Sequence, residues 1–310
     1  MLLRRLTFPA LLGLLLCAPP ARAALNVVTT TEDLATLVRE VGGDQVKVTA
    51  LAKGYQDPHH AEAKPSFILK LYRADLLVLV GRGLEIGWLP PLLQQSRNAR
   101  IQPGRDGYLD ASLGVRILEL PVGQVSRAMG DVHPQGNPHY WLDPANGRRM
   151  AKSIEQRLTR LSPGQAKHFA ARYADFDRRL AAAEARWDAA MAPYRGTRVV
   201  TYHRSWPNFC ERFGLDVVGF VEPRPGIPPS PRHTLTLIQE IKRQQIPLIL
   251  VEPYFDLKTP KAVARETGAK VLVMPPSVGG EKEIKTYIQL FDHNLDLLLA
   301  ALGAPERVGR

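Results

Sequence analysis

The residues best suited to chemistry are two adjacent histidines, His59 and His60, in the stretch GYQDPHHAEAKPS at 54–66. They follow Pro58 at the point where a predicted strand ends and a predicted helix begins. Adjacent imidazoles are not typical of a hydrophobic core, and histidine is the commonest protein ligand for zinc and related metals. A metal held here would need partners from elsewhere in the chain.

Further histidines occur in comparable positions. His133 and His139 lie in the proline-braced stretch DVHPQGNPHYWLDP, His203 ends the run RVVTYH, and Glu252 ends the run PLILVE. In open α/β sheets, ligands bind outside the carboxyl ends of the strands, so side chains from distant parts of the chain can meet in a cleft. Neutral imidazoles with at most one carboxylate suit Zn²⁺, which prefers nitrogen ligands in tetrahedral geometry.

The other histidines have simpler interpretations. His60 points away from His59 if the segment is extended, so we predict a surface residue. His168 and His293 lie off the apolar stripes of their predicted helices, and His233 at the start of a helix receives no role. We interpret His133 as a plain loop residue, with recruitment of metal from a loop as the alternative.

The elements that must position these residues alternate between short β-branched runs and amphipathic segments. This pattern predicts an α/β fold of two lobes, each a mainly parallel four-stranded sheet flanked by helices. The predicted strands are 25–30, 46–51, 74–80 and 115–120 in the first lobe, and 198–203, 216–221, 247–252 and 270–275 in the second.

A segment rich in Ala, Arg, Glu and Asp separates the lobes and predicts one long connecting helix. Ser162 is a plausible N-cap and Pro163 the first helical position of a helix of roughly 30 residues, about 45 Å long. The predicted division is a metal-binding lobe at 24–160, the connecting helix at 161–195 and a second metal-binding lobe at 196–310. Within the lobes, Pro65 and Thr259 mark helix starts, and the last helix is predicted at 281–302.

The first 23 residues predict export. A cationic start, an apolar run too short to span a membrane and an Ala21-Arg22-Ala23 cleavage pattern are typical of a signal peptide. Leu16 before Cys17 does not fit a lipid-attachment motif, which favours a soluble periplasmic protein over a lipoprotein. Only Cys210 would survive cleavage, and we expect it to be buried as a small hydrophobic residue.

The charge pattern argues against a nucleic-acid partner. The formal charge of +11 falls to about +8 once the arginines of the first 23 residues are removed, and the remaining basic residues are interleaved with acidic ones.

Several stretches together resemble the metal-specific solute-binding proteins of bacterial ABC importers, the zinc and manganese group. These are DPHHAEAKPS, ADLLVLVGRGLEIGWL, NPHYWLDP, VVTYHRSWPNFCERFGL and ETGAKVLVMPPSVGG, which occur in the family's order through nearly the whole mature chain. The resemblance implies two βα lobes joined by a rigid helix, with the metal between them. It also implies that His59, His139 and His203 are ligands, and a histidine at the third position favours zinc over manganese.

The fourth ligand departs from the family pattern. Its usual aspartate is replaced by Pro275 in MPPSVGG. Glu252 is the replacement we favour, with water or the more distant Glu281 as alternatives, and Glu252 could equally orient a ligand or cap a helix. Asp57 and Asp143 are expected to accept hydrogen bonds from the ligating histidines.

The predicted function is capture of Zn²⁺ in the periplasm and delivery to an ABC permease and its ATPase at the inner membrane, by a monomer that is not an enzyme. Binding should weaken below about pH 6, because protonated imidazoles do not coordinate.

A zinc hydrolase is the main rival function, although the HExxH motif is absent. A manganese- or iron-binding homologue is another. The stretch GRGLEIG fails the G-x-G-x-x-G nucleotide fingerprint, and we find no anchor or stalk typical of an adhesin.

Overall fold

The computed structural model describes residues 24–121, 123 and 133–303. The predicted signal peptide, with Cys17, lies outside these residues. Within them, no helix combines the length and apolar character needed to cross a membrane.

The first lobe is a four-stranded parallel sheet flanked by helices. Its elements are β1 (Leu25–Thr29), α1 (Glu32–Gly42), β2 (Val46–Ala50), α2 (Pro65–Tyr72), β3 (Leu76–Leu79), α3 (Leu89–Gln95) and β4 (Tyr108–Asp110). The strand order is β2-β1-β3-β4 and every pairing is parallel. Because all strands run the same way, their carboxyl ends lie at one edge of the sheet.

The second lobe repeats this order. Its elements are β5 (Arg198–Thr201), α6 (Pro207–Phe213), β6 (Asp216–Phe220), α7 (Pro231–Gln244), β7 (Leu248–Val251), α8 (Lys258–Thr267), β8 (Lys270–Val273) and α9 (Tyr287–Ala301). The strand order is β6-β5-β7-β8, again all parallel. The predicted fold class is confirmed, and seven predicted strands match the observed strands to within two residues at either end.

Two helices connect the lobes, α4 (Pro144–Leu161) and α5 (Ala166–Met191). The connecting helix is shorter than predicted: its 26 residues span about 39 Å. A 3-10 turn at Pro163–Gln165 precedes it, and the Ser162 side chain makes no capping hydrogen bond. Buried residues of α5, among them Phe176 and Trp187, join one core that includes Leu34 of the first lobe and Phe291 of the second. This shared core makes α5 a stiff connection.

The strand predicted at 115–120 is wrong. The backbone of this run is bonded to loops and helices instead of a sheet: the Arg116 N–H donates to Asn146 Oδ1 at 3.1 Å and the Leu118 carbonyl accepts from the Asn137 N–H at 2.9 Å. The edge strand is Tyr108–Asp110, which is too short to give a periodic signal.

The predicted start of the last helix is also wrong, because α9 begins at Tyr287. A capping box fixes this start: the Thr286 hydroxyl accepts from the Gln289 N–H, and the Gln289 side chain accepts from the Thr286 N–H. The predicted start of α2 at Pro65 is confirmed, and the one predicted at Thr259 lies one residue inside α8.

The lobes are joined by buried polar contacts as well as by α5. Asp33 of α1 is fully buried, and its Oδ1 accepts the Val278 N–H at 2.9 Å. Trp141 Nε1 donates to the Pro276 carbonyl at 2.8 Å, and the Tyr287 hydroxyl donates to the Trp141 carbonyl. The segment after β8 is thereby fixed to the first lobe.

A substitution at Gly147 can test the packing of α4 against α9. A Cβ at this position would overlap the fully buried Tyr287 ring. We expect Gly147→Ala to destabilise the protein by about 1–3 kcal/mol through overpacking, measured as the free energy of unfolding in urea. The matched control is Gly164→Ala, where a Cβ has open space within 4 Å and the change should stay within about 0.5 kcal/mol. Equal stability of the two variants would contradict this packing.

Asp33 tests the buried contact between the lobes. Burial raises the pKa of Asp33 from 3.8 to about 7. The unfolded chain therefore ionises Asp33 at lower pH than the folded protein does. Stability should fall as pH rises from about 4 to 7 and level off above 7, a total on the order of 4 kcal/mol. Urea unfolding of Asp33→Asn should lack this pH-dependent loss, and parallel pH profiles for the variant and the wild type would refute it.

Candidate metal centre

Three histidines meet where the carboxyl edges of the two sheets face each other. His59 lies in the loop after β2, in a 3-10 turn at Pro58–His60, and His139 directly precedes the 3-10 turn Tyr140–Leu142. His203 comes two residues after β5 of the second lobe. One nitrogen from each ring lies within 4.8 Å of the other two, and no cysteine or carboxylate of the described residues joins this group. The ring centroids are 5.0–5.4 Å apart.

Two of these rings are oriented by the same local motif. The residue two positions before each histidine accepts from its Nδ1: Asp57 Oδ1 lies 2.8 Å from His59 Nδ1, and Asn137 Oδ1 lies 3.1 Å from His139 Nδ1. The same oxygens also accept the backbone N–H of His59 at 2.9 Å and of His139 at 2.8 Å. The repeated sequence is Asx-Pro-His, which could have identified Asn137 alongside the correctly predicted acceptor Asp57.

The third ring uses a distant acceptor. His203 Nδ1 lies 2.8 Å from Glu222 Oε2, and both side chains are buried. Glu222 follows β6, the strand paired with β5, so the contact arises from strand pairing. The sequence spacing of 19 residues gives no signal of it.

These hydrogen bonds determine which nitrogen is free. A neutral imidazole that donates from Nδ1 has an unprotonated Nε2 with a lone pair. The Nε2 atoms of His59 and His139 are buried and have no hydrogen-bond partner in the described part of the chain. Burial holds the pKa of His139 well below 6.5, and the neighbouring His59 and His203 add to this effect. The arrangement presents convergent neutral nitrogen donors, which is what a Zn²⁺-type cation requires.

Asp143 does not serve as an acceptor for a histidine. It caps α4, with its side chain accepting the Ala145 N–H at 2.9 Å. The role predicted for it belongs to Asn137.

Glu252 is fully buried but lies outside the three-histidine group. Burial raises its pKa to about 8, and the charges of Glu222 and Asp57 add to this effect. Neither of its oxygens has a hydrogen-bond partner among the described residues. Glu281 is placed elsewhere, 3.4 Å from His293. The Pro275 carbonyl accepts from Asn294 Nδ2 at 2.9 Å.

The remaining histidines divide into one neighbour of the site and several surface groups. His133, predicted to be a plain loop residue, instead stacks on His59 with ring centroids 5.3 Å apart. His60 is exposed, as predicted. His168 and His233 contact the backbone carbonyls of Gly42 and Phe220, away from the site.

A cavity of about 260 Å³ opens beside the rings, and His133, His139 and His203 line it. Glu119 and Arg204 also line it and form an ion pair between the lobes at 2.6 Å. A small ion can therefore reach the histidines from this side.

Comparison with known proteins agrees with this architecture. The family model of ZnuA, described as zinc-uptake complex component A, periplasmic, matches residues 27–301. Curated relatives include the metal ABC transporter substrate-binding lipoprotein FimA of Streptococcus parasanguinis, 28% identical, and the manganese ABC transporter substrate-binding lipoprotein PsaA of Streptococcus anginosus, 26% identical. Each alignment covers 96% of both chains. Both relatives are named lipoproteins, which argues against the prediction that a soluble periplasmic protein is favoured over a lipoprotein.

Solved structures share the fold. A crystal structure of ZnuA has a TM-score of 0.73 at 24% identity and covers 90% of this chain and 98% of its own. The manganese-bound periplasmic metal binding protein of candidatus liberibacter asiaticus has a TM-score of 0.75 at 20% identity and covers 90% and 99%.

Proposed function

Because the chain belongs to the ZnuA family of periplasmic zinc-uptake components, we propose that it captures Zn²⁺ between its lobes and delivers it to an ABC permease. The family comprises the substrate-binding components of metal ABC importers, which work outside the cytoplasm with a permease and an ATPase. The protein is accordingly a metal-binding transport component and not an enzyme.

The observation that carries the zinc assignment is the donor set. His59, His139 and His203 offer three imidazole nitrogens, and no carboxylate of the described residues belongs to their group. Imidazole suits Zn²⁺, whereas carboxylate and carbonyl oxygens suit Mn²⁺. The relatives named for manganese make Mn²⁺ the alternative cargo, and the donor set favours zinc over it.

Delivery follows from the division of the ligands between the lobes. Two proposed ligands belong to the first lobe and His203 to the second. A shift of the second lobe's loop would remove one of three ligands and weaken the site. Docking to the permease would then release the ion without unfolding either lobe.

Removal of single ligands tests the proposal. We expect wild-type protein to bind one Zn²⁺, and His59→Ala, His139→Ala and His203→Ala each to weaken binding by at least about 100-fold. This exceeds the roughly 10- to 100-fold cost of losing a partner that only orients a ligand. Native mass spectrometry gives the stoichiometry, and competition with a chromophoric chelator gives the affinity.

The matched control is His168→Ala on the connecting helix, which should bind zinc as the wild type does. Circular dichroism of each variant establishes that it is folded. Wild-type affinity in any of the three ligand variants would exclude that residue, and a wild type that binds no metal would refute the function.

Metal preference is tested at the third ligand. In His203→Glu a carboxylate replaces an imidazole, so the preference for Zn²⁺ over Mn²⁺ should fall by at least about tenfold. The new carboxylate would face Glu222, so a second variant, His203→Glu with Glu222→Gln, relieves the repulsion of like charges. Calorimetric titration with each metal measures the ratio of dissociation constants.

The control for this change is His203→Gln, which removes the imidazole without adding charge and should weaken both metals. An unchanged zinc-to-manganese ratio in the double variant would show that this position does not select the metal.

A further inference from the structure

Three histidines leave one position of a tetrahedral ion to be filled. The sequence offers Pro275 where the resemblance implies a carboxylate, so the fourth donor must come from another element. Two side chains beside the site have buried atoms that could bind a metal and have no hydrogen-bond partner within the described residues. They are Glu252, through both oxygens, and His133, through Nε2.

The His133 ring lies directly beside one of the proposed ligands. Its centroid lies 5.3 Å from that of His59, within the 5.0–5.4 Å range that separates the three proposed ligands from one another. His133 and His203 also line the same cavity. The ring therefore lies against the group of imidazoles.

The Nε2 atom of His133 is buried without a hydrogen-bond partner in the described residues, as are those of His59 and His139. The ring hydrogen-bonds to the backbone carbonyl of Arg82, and Nδ1 is the nitrogen nearest Gly83 in the same loop. With Nδ1 held by an acceptor, Nε2 is left as a free donor for a metal.

The stretch GRGLEIG forms the loop beside His133. Arg82 has a left-handed backbone, φ +54°, between Gly81 and Gly83, whose φ values are also positive. This turn exposes the Arg82 carbonyl, and the Arg82 guanidinium donates to the Gln135 carbonyl at 3.3 Å. Arg82 therefore contacts the segment around His133 through both its backbone and its side chain.

Glu252 has different surroundings. Its ionisation is influenced by Ser205, Glu222 and Asp57. Glu222 and Asp57 lie on the Nδ1 side of His203 and His59, behind the rings. Neither oxygen of Glu252 hydrogen-bonds to a proposed ligand within the described residues, whereas the His133 ring stacks on that of His59.

We propose that His133 is the fourth ligand of the bound Zn²⁺, through Nε2. This inference rests on the proposed function. His133 lies outside the group whose nitrogens are all within 4.8 Å, so its side chain must close onto the ion after the other three have bound it. The result is a site of four imidazoles with no water on the metal.

The test is residue-resolved NMR of the zinc-loaded full chain with ¹⁵N-labelled histidine. Two-bond ¹H–¹⁵N correlation spectra identify each ring nitrogen that coordinates the metal. We expect four coordinated nitrogens in the wild type and three in His133→Ala, with at least a tenfold loss of zinc affinity. X-ray absorption should show four nitrogen donors in the wild type and an oxygen in place of one in His133→Ala.

Two variants serve as controls. His60→Ala removes the exposed neighbour of His59, and Glu252→Gln removes the other fourth-ligand candidate. Both should keep four coordinated nitrogens.

The outcomes separate this inference from the function on which it rests. Three coordinated nitrogens in the wild type, unchanged in His133→Ala, would overturn the role of His133 and leave the proposed function intact. Loss of a metal-bound oxygen in Glu252→Gln would assign the position to Glu252. Absence of bound zinc from the wild type would refute the proposed function itself.

Discussion

The hydrogen bond from each Nδ1 atom to a fixed acceptor is the interaction on which the site depends. Without it, an imidazole can present either nitrogen and rotate about its side-chain torsions, and three converging lone pairs would not persist. Asp57 and Asn137 impose this orientation over two residues, with a proline between to fix the backbone, and they also accept the histidine N–H groups. Glu222 achieves it for His203 across paired strands. The free donors therefore exist before any metal arrives, which reduces the ordering needed on binding.

The parallel strands end at the site and so bring these acceptors together. The fold also fixes the position of one lobe relative to the other. His203 and Glu222 follow β5 and β6 of one sheet, whereas His59 follows β2 of the other. The relative position of the sheets is set by the core around Phe176 and Trp187 of α5, together with buried contacts such as Asp33 to Val278. A site shared between lobes needs this rigidity, because ligand nitrogens must be placed to within about 0.5 Å.

Periodicity was sufficient to predict the α/β class and seven strands, and the family resemblance singled out the three histidines that converge. They failed where the decisive contacts are non-local or unpatterned. The run at 115–120 has a strand's composition, yet Asn146 and Asn137 take its backbone hydrogen bonds. Glu222 is recognisable only once β5 and β6 are paired. His133 looked like a solvated loop residue, since no local pattern indicates that the Arg82 carbonyl lies beside it. Asn137 is the exception, because its Asx-Pro-His motif is repeated in the sequence.

The segment after β8 offers no carboxylate to the proposed metal site. The Pro275 carbonyl accepts from Asn294, the Pro276 carbonyl accepts from Trp141, and the Val278 N–H donates to Asp33. The backbone of the segment after β8 joins α9 and the second lobe to the first lobe. Residue 275 is a proline, so it offers no carboxylate to a metal. An oxygen donor at this point would favour harder cations, whereas its loss leaves nitrogen donors to dominate. Pro275 removes an oxygen donor from the family pattern, and His203 supplies a nitrogen donor. Both residues therefore favour an all-nitrogen site, which is the kind of site suited to zinc.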